Sequence, residues 1–189
     1  MKYKNILVTG NLGFIGFNFC KLVKKYYSDV NIFGLDCCTY AAEFMLAEKQ
    51  KWNKENNIIT FYENIFHHKN TIDEIITKYD IDAIVHFAAE SHVDRSISDP
   101  NIFFETNVMG TVNLLELARK HNIRMHFIST DEVYGITYPE DKCYEDYKVC
   151  PSSPYSSSKA SADMIVLSYY KTFGTKVTIS RCTNNFGEY

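Results

Sequence analysis

Apolar segments of two kinds alternate along the chain. Short and nearly continuous apolar runs predict strands buried on both faces, while longer segments with apolar residues three and four positions apart predict helices. The predicted strands cover residues 5–9, 30–36, 58–64, 82–89, 124–130 and 176–182, and the predicted helices cover residues 14–27, 71–79, 103–121 and 154–173. This alternation is typical of crossover units in a parallel sheet. It predicts an α/β fold, a doubly wound and mostly parallel sheet of the Rossmann type, in one domain over residues 1–189.

The helices have apolar faces that should pack on the sheet, and one long segment lacks such a face. The positions expected to face the core in the first helix are Phe14, Phe17, Cys20, Leu22 and Val23. In the helix over 103–121 they are Val108, Val112, Leu115 and Ala118. Residues 137–153 are rich in polar residues and predict a long loop, and loops of that length are often functional.

Composition narrows the class of protein. The chain has 189 residues, of which 46% are hydrophobic and 23% are charged, with a net charge of -3. These values are typical of a globular domain and argue against a nucleic-acid or membrane partner. The six cysteines lack the spacing of a zinc site or redox pair, and His67-His68 has no further ligands nearby. We therefore expect no metal, and reduced thiols in a cytoplasmic protein without a signal peptide.

Glycines follow the first predicted strand at a three-residue spacing. Gly10, Gly13 and Gly16 lie between this strand and the first helix. Glycines there allow a tight turn and a close approach of a pyrophosphate, which the N–H groups of the helix N-terminus can bind. The pattern predicts a dinucleotide site, although glycines that only form a turn would give the same sequence.

An acidic residue ends the second predicted strand. Asp36 is placed to accept hydrogen bonds from the adenosine ribose, and it would repel a 2′-phosphate. No Lys or Arg follows it directly, so the sequence favours NAD over NADP. The other interpretation is that Asp36 ends the strand for structural reasons alone.

The last predicted helix begins with a tyrosine and a lysine four positions apart. Tyr155 and Lys159 would share one helix face, with Ser153 as a cap and Pro154 in the first turn. An ammonium and a nicotinamide ring nearby should favour the phenolate, which could then take a proton from a sugar hydroxyl. A surface pair is the alternative.

Two acids follow the fifth predicted strand. Thr130, Asp131 and Glu132 lie at its carboxyl end, where ligands of such sheets bind. A solvated loop would explain them equally well, except that Tyr155 should come over the same edge of the sheet.

Together these segments resemble the extended short-chain dehydrogenase/reductases, and among them the nucleotide-sugar 4,6-dehydratases, most closely the dTDP-glucose 4,6-dehydratase family. The resemblance is carried by residues 8–16 (VTGNLGFIG), 87–97 (FAAESHVDRSI), 129–135 (STDEVYG), 151–160 (PSSPYSSSKA) and 181–187 (RCTNNFG). It spans nearly the whole chain.

The resemblance implies a three-step reaction. Tyr155 and Lys159 support oxidation at sugar C4, with Thr130 holding the C4 oxygen. Glu132 then removes the C5 proton while Asp131 protonates the C6 hydroxyl, and water leaves. Hydride finally returns to C6. A 4-epimerase of the same superfamily does not need the Asp131–Glu132 pair.

The resemblance also implies the residues that contact ligands. The cofactor contacts are Gly10, Gly13, Phe14, Ile15, Gly16, Asp36, Thr39, Asn64, Ile65, Ala88, Ala89, Thr106, Tyr155, Lys159 and Asn185. The nucleotide-sugar contacts are Ser91, Thr130 and Asn184. A homodimer paired through helices corresponding to 103–121 and 154–173 is implied as well.

Some features depart from the family. Asn64 replaces an Asp near the adenine, Asn11 replaces a glycine in the phosphate turn, and Glu188 replaces a proline. The family also has a C-terminal lobe for the nucleotide, which these residues do not include. We therefore expect the chain to bind NAD but to turn over sugar poorly. The alternatives are a 4-epimerase and a non-catalytic NAD-binding module, and the sequence does not separate dTDP from UDP sugars.

Overall fold

The structure is a computed structural model that describes residues 2–136 and 142–189. Its strands are β1 (Asn5–Thr9), β2 (Asn31–Leu35), β3 (Ile59–Phe61), β4 (Ala83–His86), β5 (Arg124–Thr130) and β6 (Val177–Cys182). Its α-helices are α1 (Phe14–Tyr26), α2 (Tyr40–Glu43), α3 (Leu46–Glu55), α4 (Lys69–Lys78), α5 (Val93–Ser98), α6 (Asn101–Phe103), α7 (Thr111–Lys120) and α8 (Pro154–Phe173). A π-helix spans Phe104–Gly110 and a 3₁₀ helix spans Asp131–Tyr134.

Six strands form one sheet in the order β3-β2-β1-β4-β5-β6. Every pair of neighbouring strands is parallel, with Ile6 opposite Ile32 on one side and opposite Ala83 on the other. The chain reverses its direction of winding at β1, so a crevice opens between β1 and β4 at the carboxyl ends of the strands. This confirms the predicted doubly wound Rossmann-type sheet.

Both faces of the sheet are covered by helices because alternate side chains of each strand point to opposite faces. Leu7 packs in a core with apolar residues of α4, α7 and α8, whereas Ile6 and Val8 pack in a second core with residues of α1. Strands buried on both faces explain the continuous apolar runs of the sequence.

The helices differ from the expected pattern in two places. Leu22 of α1 is 54% exposed, so the prediction that it faces the core is wrong, and Phe14 is only partly buried. The buried residues of this helix are Gly16, Phe17, Cys20 and Val23. The segment predicted as one helix over 103–121 is helical but contains the π-helix. As a result, Val108 and Val112 are only partly buried, while Leu115 and Ala118 are buried as expected.

Helices α2, α3 and α5 were not predicted from the pattern of apolar residues. The fully buried residues of α3 are the polar Lys49 and Asn53, with Trp52 partly buried beside them, so the helix has too few inward apolar positions to show an apolar period. Of the predicted loop, residues 142–153 contain neither helix nor strand, and residues 137–141 lie outside the described residues.

Three further observations concern the described ranges alone. No helix within residues 2–136 and 142–189 combines the length and apolar content needed to cross a bilayer. No group of three or more His, Cys, Asp or Glu side chains in these ranges could hold a metal ion. All six cysteines are free thiols.

Candidate functional site

A cleft of about 390 Å³ lies at the carboxyl ends of the strands. It runs from the glycine-rich turn after β1 to the first turn of α8. Every residue predicted to contact the cofactor or the sugar lines it: Gly10, Gly13, Phe14, Ile15, Gly16, Asp36, Thr39, Asn64, Ile65, Ala88, Ala89, Ser91, Thr106, Thr130, Tyr155, Lys159, Asn184 and Asn185. Glu132 lines the same cleft, whereas Asp131 does not.

The glycine-rich turn leaves no room for side chains. A Cβ atom on Gly16 would lie 2.1 Å from the carbonyl oxygen of Gly10, and one on Gly10 would lie 2.7 Å from the Ala88 nitrogen. Gly10 also has a positive φ of 71°, which other residues rarely adopt. The turn therefore packs against the end of β4 and brings the N-terminus of α1 to the cleft, where an anion can bind.

Asp36 is anchored by the same turn. One carboxylate oxygen accepts a hydrogen bond from the Leu12 N–H at 2.9 Å, and the other accepts one from the Cys38 N–H at 2.9 Å. Burial raises the pKa of Asp36, and these hydrogen bonds and nearby Lys49 act against that rise. The carboxylate has lone pairs that these two hydrogen bonds do not use, so Asp36 can still accept hydrogen bonds from a ribose.

The first two turns of α8 hold Tyr155 and Lys159 at the other end of the cleft. The hydroxyl of Ser153 accepts a hydrogen bond from the Ser156 N–H in a capping box, and Pro154 opens the helix. This local geometry explains how a serine-rich stretch begins a helix. Lys159 is only 4% exposed; its Nζ donates to the Ile128 carbonyl at 2.7 Å.

Burial controls the protonation of this pair. It raises the pKa of Tyr155 to about 12, although the hydrogen bond with Thr130 acts in the opposite direction. It lowers the pKa of Lys159 to about 8, while Asp163 acts to raise it. The chain alone therefore keeps the phenol neutral, and the expected shift towards phenolate is not present in it.

Glu132 reaches the cleft from the 3₁₀ helix after β5. The Glu132 N–H donates to the Thr130 hydroxyl at 3.2 Å, which fixes the start of this helix. Burial raises the pKa of Glu132, and the neighbouring Asp131 raises it further. A carboxylate with a raised pKa is a better base for a carbon acid than an exposed one. Asp131 instead accepts a long hydrogen bond of 3.4 Å from the Thr130 hydroxyl.

Sequence reasoning missed Glu90 as a lining residue. It is buried in the segment that follows β4, and one oxygen of its carboxylate has no hydrogen-bond partner among the described residues. Its backbone is held by Asn107 of the π-helix, which accepts from the Glu90 N–H at 2.8 Å and donates to the Glu90 carbonyl at 2.9 Å. Glu90 lies in the stretch 87–97, which carries part of the family resemblance, and this position in the sequence could have indicated it as a lining residue.

The three departures from the family have local explanations. The Asn64 side chain accepts hydrogen bonds from the N–H groups of Phe66 and His67, so it forms a turn at the cleft wall. Asn11 is buried against the bare Cα of Gly34. Glu188 is exposed and pairs with Lys21 at 3.3 Å.

Comparison with known proteins identifies the family. The family profile described as GDP-mannose 4,6 dehydratase matches residues 7–189. The chain belongs to this family. The dTDP-glucose 4,6-dehydratase of Mycobacterium tuberculosis (strain ATCC 25618 / H37Rv) is 39% identical over 186 residues, which are 97% of this chain and 54% of that protein. The chain thus spans about half the length of the curated relatives it matches.

Solved structures agree with the family assignment. The dTDP-glucose 4,6-dehydratase of Bacillus anthracis, in complex with NAD, has a TM-score of 0.87 at 41% identity, over 98% of this chain and 56% of that one. The UDP-glucose 4-epimerase of Thermus thermophilus, also with NAD, has a TM-score of 0.80 at 26% identity, over 94% of this chain and 54% of that one. The resemblance to the 4,6-dehydratases is confirmed.

Proposed function

We propose that residues 1–189 form the NAD-binding domain, with the catalytic residues, of a nucleotide-sugar 4,6-dehydratase. The substrate is dTDP-glucose or UDP-glucose and the product is its 4-keto-6-deoxy sugar. The observation that carries the proposal is the cleft itself, because Gly10 and Asp36 line one end of it and Glu132, Tyr155 and Lys159 line the other. The names of the relatives support the reaction.

The residues present fit NAD. The glycine-rich turn and the N-terminus of α1 would hold the pyrophosphate, Asp36 would hold the adenosine ribose, and Tyr155 with Lys159 would lie at the nicotinamide end. When bound, NAD accepts hydride from sugar C4 and returns it to C6. An ionised Asp36 would repel the 2′-phosphate of NADP.

The chain's own residues would move the protons. Tyr155 takes the proton of the C4 hydroxyl, and the hydroxyl of Thr130 holds the C4 oxygen. Because the pKa of Tyr155 is about 12 with Lys159 already present in the chain, the positive charge of the bound cofactor would have to supply the shift towards phenolate. Glu132, with its raised pKa, takes the C5 proton. Asp131 protonates the departing C6 hydroxyl, a role that rests on the family resemblance because Asp131 does not line the cleft.

Two alternatives remain. The likeness to a UDP-glucose 4-epimerase favours a 4-epimerase, but such a reaction needs no base for the C5 proton, whereas Glu132 is placed in the cleft. A non-catalytic NAD-binding module is the other. This alternative agrees with our expectation that these 189 residues bind NAD but turn over sugar poorly.

We also propose a homodimer and a cytoplasmic location. Helices in the ranges 103–121 and 154–173 expose Phe104, Met109, Met164 and Tyr170, which a second copy of the chain could cover. The six free thiols fit a reducing compartment. The nucleotide sugar is the proposed ligand, with no nucleic acid or membrane partner.

The test is a product assay with dTDP-glucose, NAD and concentrated protein. We expect a 4-keto-6-deoxy sugar, detected by its absorbance in alkali, at a rate far below that of a full-length relative. The 4-epimer as product would favour the epimerase, and NAD binding without any product would favour the non-catalytic module. Turnover comparable with the full-length relative would contradict the expected loss of activity.

Glu132→Gln tests the mechanism within the same assay. It should leave C4 oxidation intact and reduce product formation by about 100-fold or more, the usual contribution of a general base, so that NADH accumulates. Glu74→Gln, on the exposed face of α4, is the matched control. Unchanged product formation by Glu132→Gln would remove Glu132 from this role.

A further inference from the structure

Helix α3 buries two polar side chains in the interior of the protein. Lys49 is 0% exposed and is among the largest fully buried side chains, and Asn53 is 3% exposed. Burying an ammonium costs several kcal/mol unless partners compensate it. An apolar residue would pack at lower cost, so the partners of Lys49 indicate its role.

The Lys49 ammonium binds the glycine-rich turn from behind. Its Nζ donates to the carbonyl oxygen of Leu12 at 2.9 Å, while Asp36 accepts from the N–H of the same residue at 2.9 Å. Leu12 is therefore held at both of its backbone polar groups. Neither Lys49 nor Leu12 lines the cleft, so the lysine would not touch a dinucleotide there.

A second polar contact joins α3 to the same turn. The hydroxyl of Thr60 on β3 accepts hydrogen bonds from Asn53 at 3.2 Å and from Asn11 at 3.1 Å. Lys49 and Asn53 thus connect α3 to two successive residues of the turn, Asn11 and Leu12. The two fully buried polar side chains of α3 therefore both support the turn.

The consequence for binding is electrostatic. A pyrophosphate is attracted by the backbone N–H groups of the turn and repelled by its carbonyl oxygens. With the Leu12 oxygen bound to an ammonium behind the turn, that oxygen stays out of the cleft.

We infer that Lys49 is a positioning residue for the dinucleotide, because it fixes the Leu12 peptide so that the turn accepts a pyrophosphate. The inference rests on the proposed NAD site. It makes a separate prediction, since a support for the turn should matter for ligands with a pyrophosphate and far less for adenosine.

The test compares Lys49→Met with Lys51→Met, which removes an exposed lysine of the same helix. Calorimetric titrations use NAD, ADP-ribose and adenosine. For Lys49→Met we expect about tenfold weaker binding of NAD and ADP-ribose, in line with the loss of one charged hydrogen bond, and a change below about threefold for adenosine. Lys51→Met should bind all three like the parent.

Each outcome supports or overturns the inference. NAD affinity of Lys49→Met within about twofold of the parent overturns it, and so does an equal loss for all three ligands, which would indicate a general loss of structure. If Lys49→Met does not fold, the same comparison is made with Lys49→Gln, and selective weakening of the pyrophosphate ligands is again required. A parent chain that binds NAD normally keeps the proposed function whatever the variants do, whereas a parent that binds none overturns both.

Discussion

A buried ion pair joins the two catalytic parts of the proposed site. Asp163 of α8 is 0% exposed, and its carboxylate accepts a hydrogen bond of 2.7 Å from Nε of Arg181 on β6. The same guanidinium donates to the Tyr134 hydroxyl and to the Glu145 carbonyl, each at 2.9 Å. It therefore ties the helix of Tyr155 to the 3₁₀ helix that carries Glu132.

Removal of one partner should be costly. Asp163→Ala leaves a guanidinium whose side chain is only 12% exposed without its counter-ion. Breaking such a buried pair costs about 3–5 kcal/mol, because a buried charge is left uncompensated. We expect a loss of about 3 kcal/mol in the free energy of unfolding, at the lower end because Tyr134 and Glu145 still accept from Arg181.

A double variant separates the loss of the attraction between the two side chains from the cost of a buried charge without a counter-ion. Asp163→Leu with Arg181→Met removes both charges, and apolar replacements of a buried pair are often close to neutral. The Tyr134 hydroxyl keeps its hydrogen bond to the Tyr144 carbonyl. The double variant should therefore be more stable than Asp163→Ala by about 1–2 kcal/mol.

Urea unfolding followed by circular dichroism measures both effects. Asp146→Ala, in the exposed loop before α8, is the control and should stay within about 0.5 kcal/mol of the parent. An Asp163→Ala protein within about 1 kcal/mol of the parent would refute the reasoning. So would a double variant less stable than Asp163→Ala, because the stranded charge would then not be the cause.

Three further variants test separate parts of the structure. Burial lowers the pKa of His86 to about 3, below its ordinary value of 6.5. The free energy of unfolding should therefore fall by up to about 1.4 kcal/mol per pH unit as the pH drops from 6.5 towards 3. His86→Gln should flatten that slope in acid unfolding curves. A Cβ atom on Gly34 would lie 2.2 Å from the buried Asn11 amide, so Gly34→Ala should lower the free energy of unfolding in urea by about 1–3 kcal/mol. Adding Asn11→Ala should recover part of that loss, and strictly additive losses would contradict this packing. Gly16→Ala should displace the Gly10 carbonyl and weaken NAD binding by at least about tenfold in calorimetry, and unchanged affinity would contradict the close approach.

The sheet and its cleft could be predicted because their signals are local. Continuous apolar runs specify strands buried on both faces, and parallel strands bring their carboxyl ends to one edge. Gly10, Asp36, Thr130 and Tyr155 follow from that placement without knowledge of distant contacts.

The remaining features could not be predicted because they depend on contacts between distant segments. Helix α3 buries Lys49 and Asn53, so its pattern looks like that of an exposed segment. Leu22 satisfies the helical period but lies beyond the edge of the core. The pKa of Tyr155 depends on burial by the whole cleft wall, which neighbours in sequence do not reveal.

We propose that the cleft holds NAD between the glycine-rich turn and the Tyr155–Lys159 pair. Calorimetric titration of the chain with NAD and, separately, with NADP tests it most directly. We expect one NAD bound per chain and at least about tenfold weaker binding of NADP, because Asp36 repels the 2′-phosphate. No binding of NAD, or NADP bound as tightly as NAD, would contradict it.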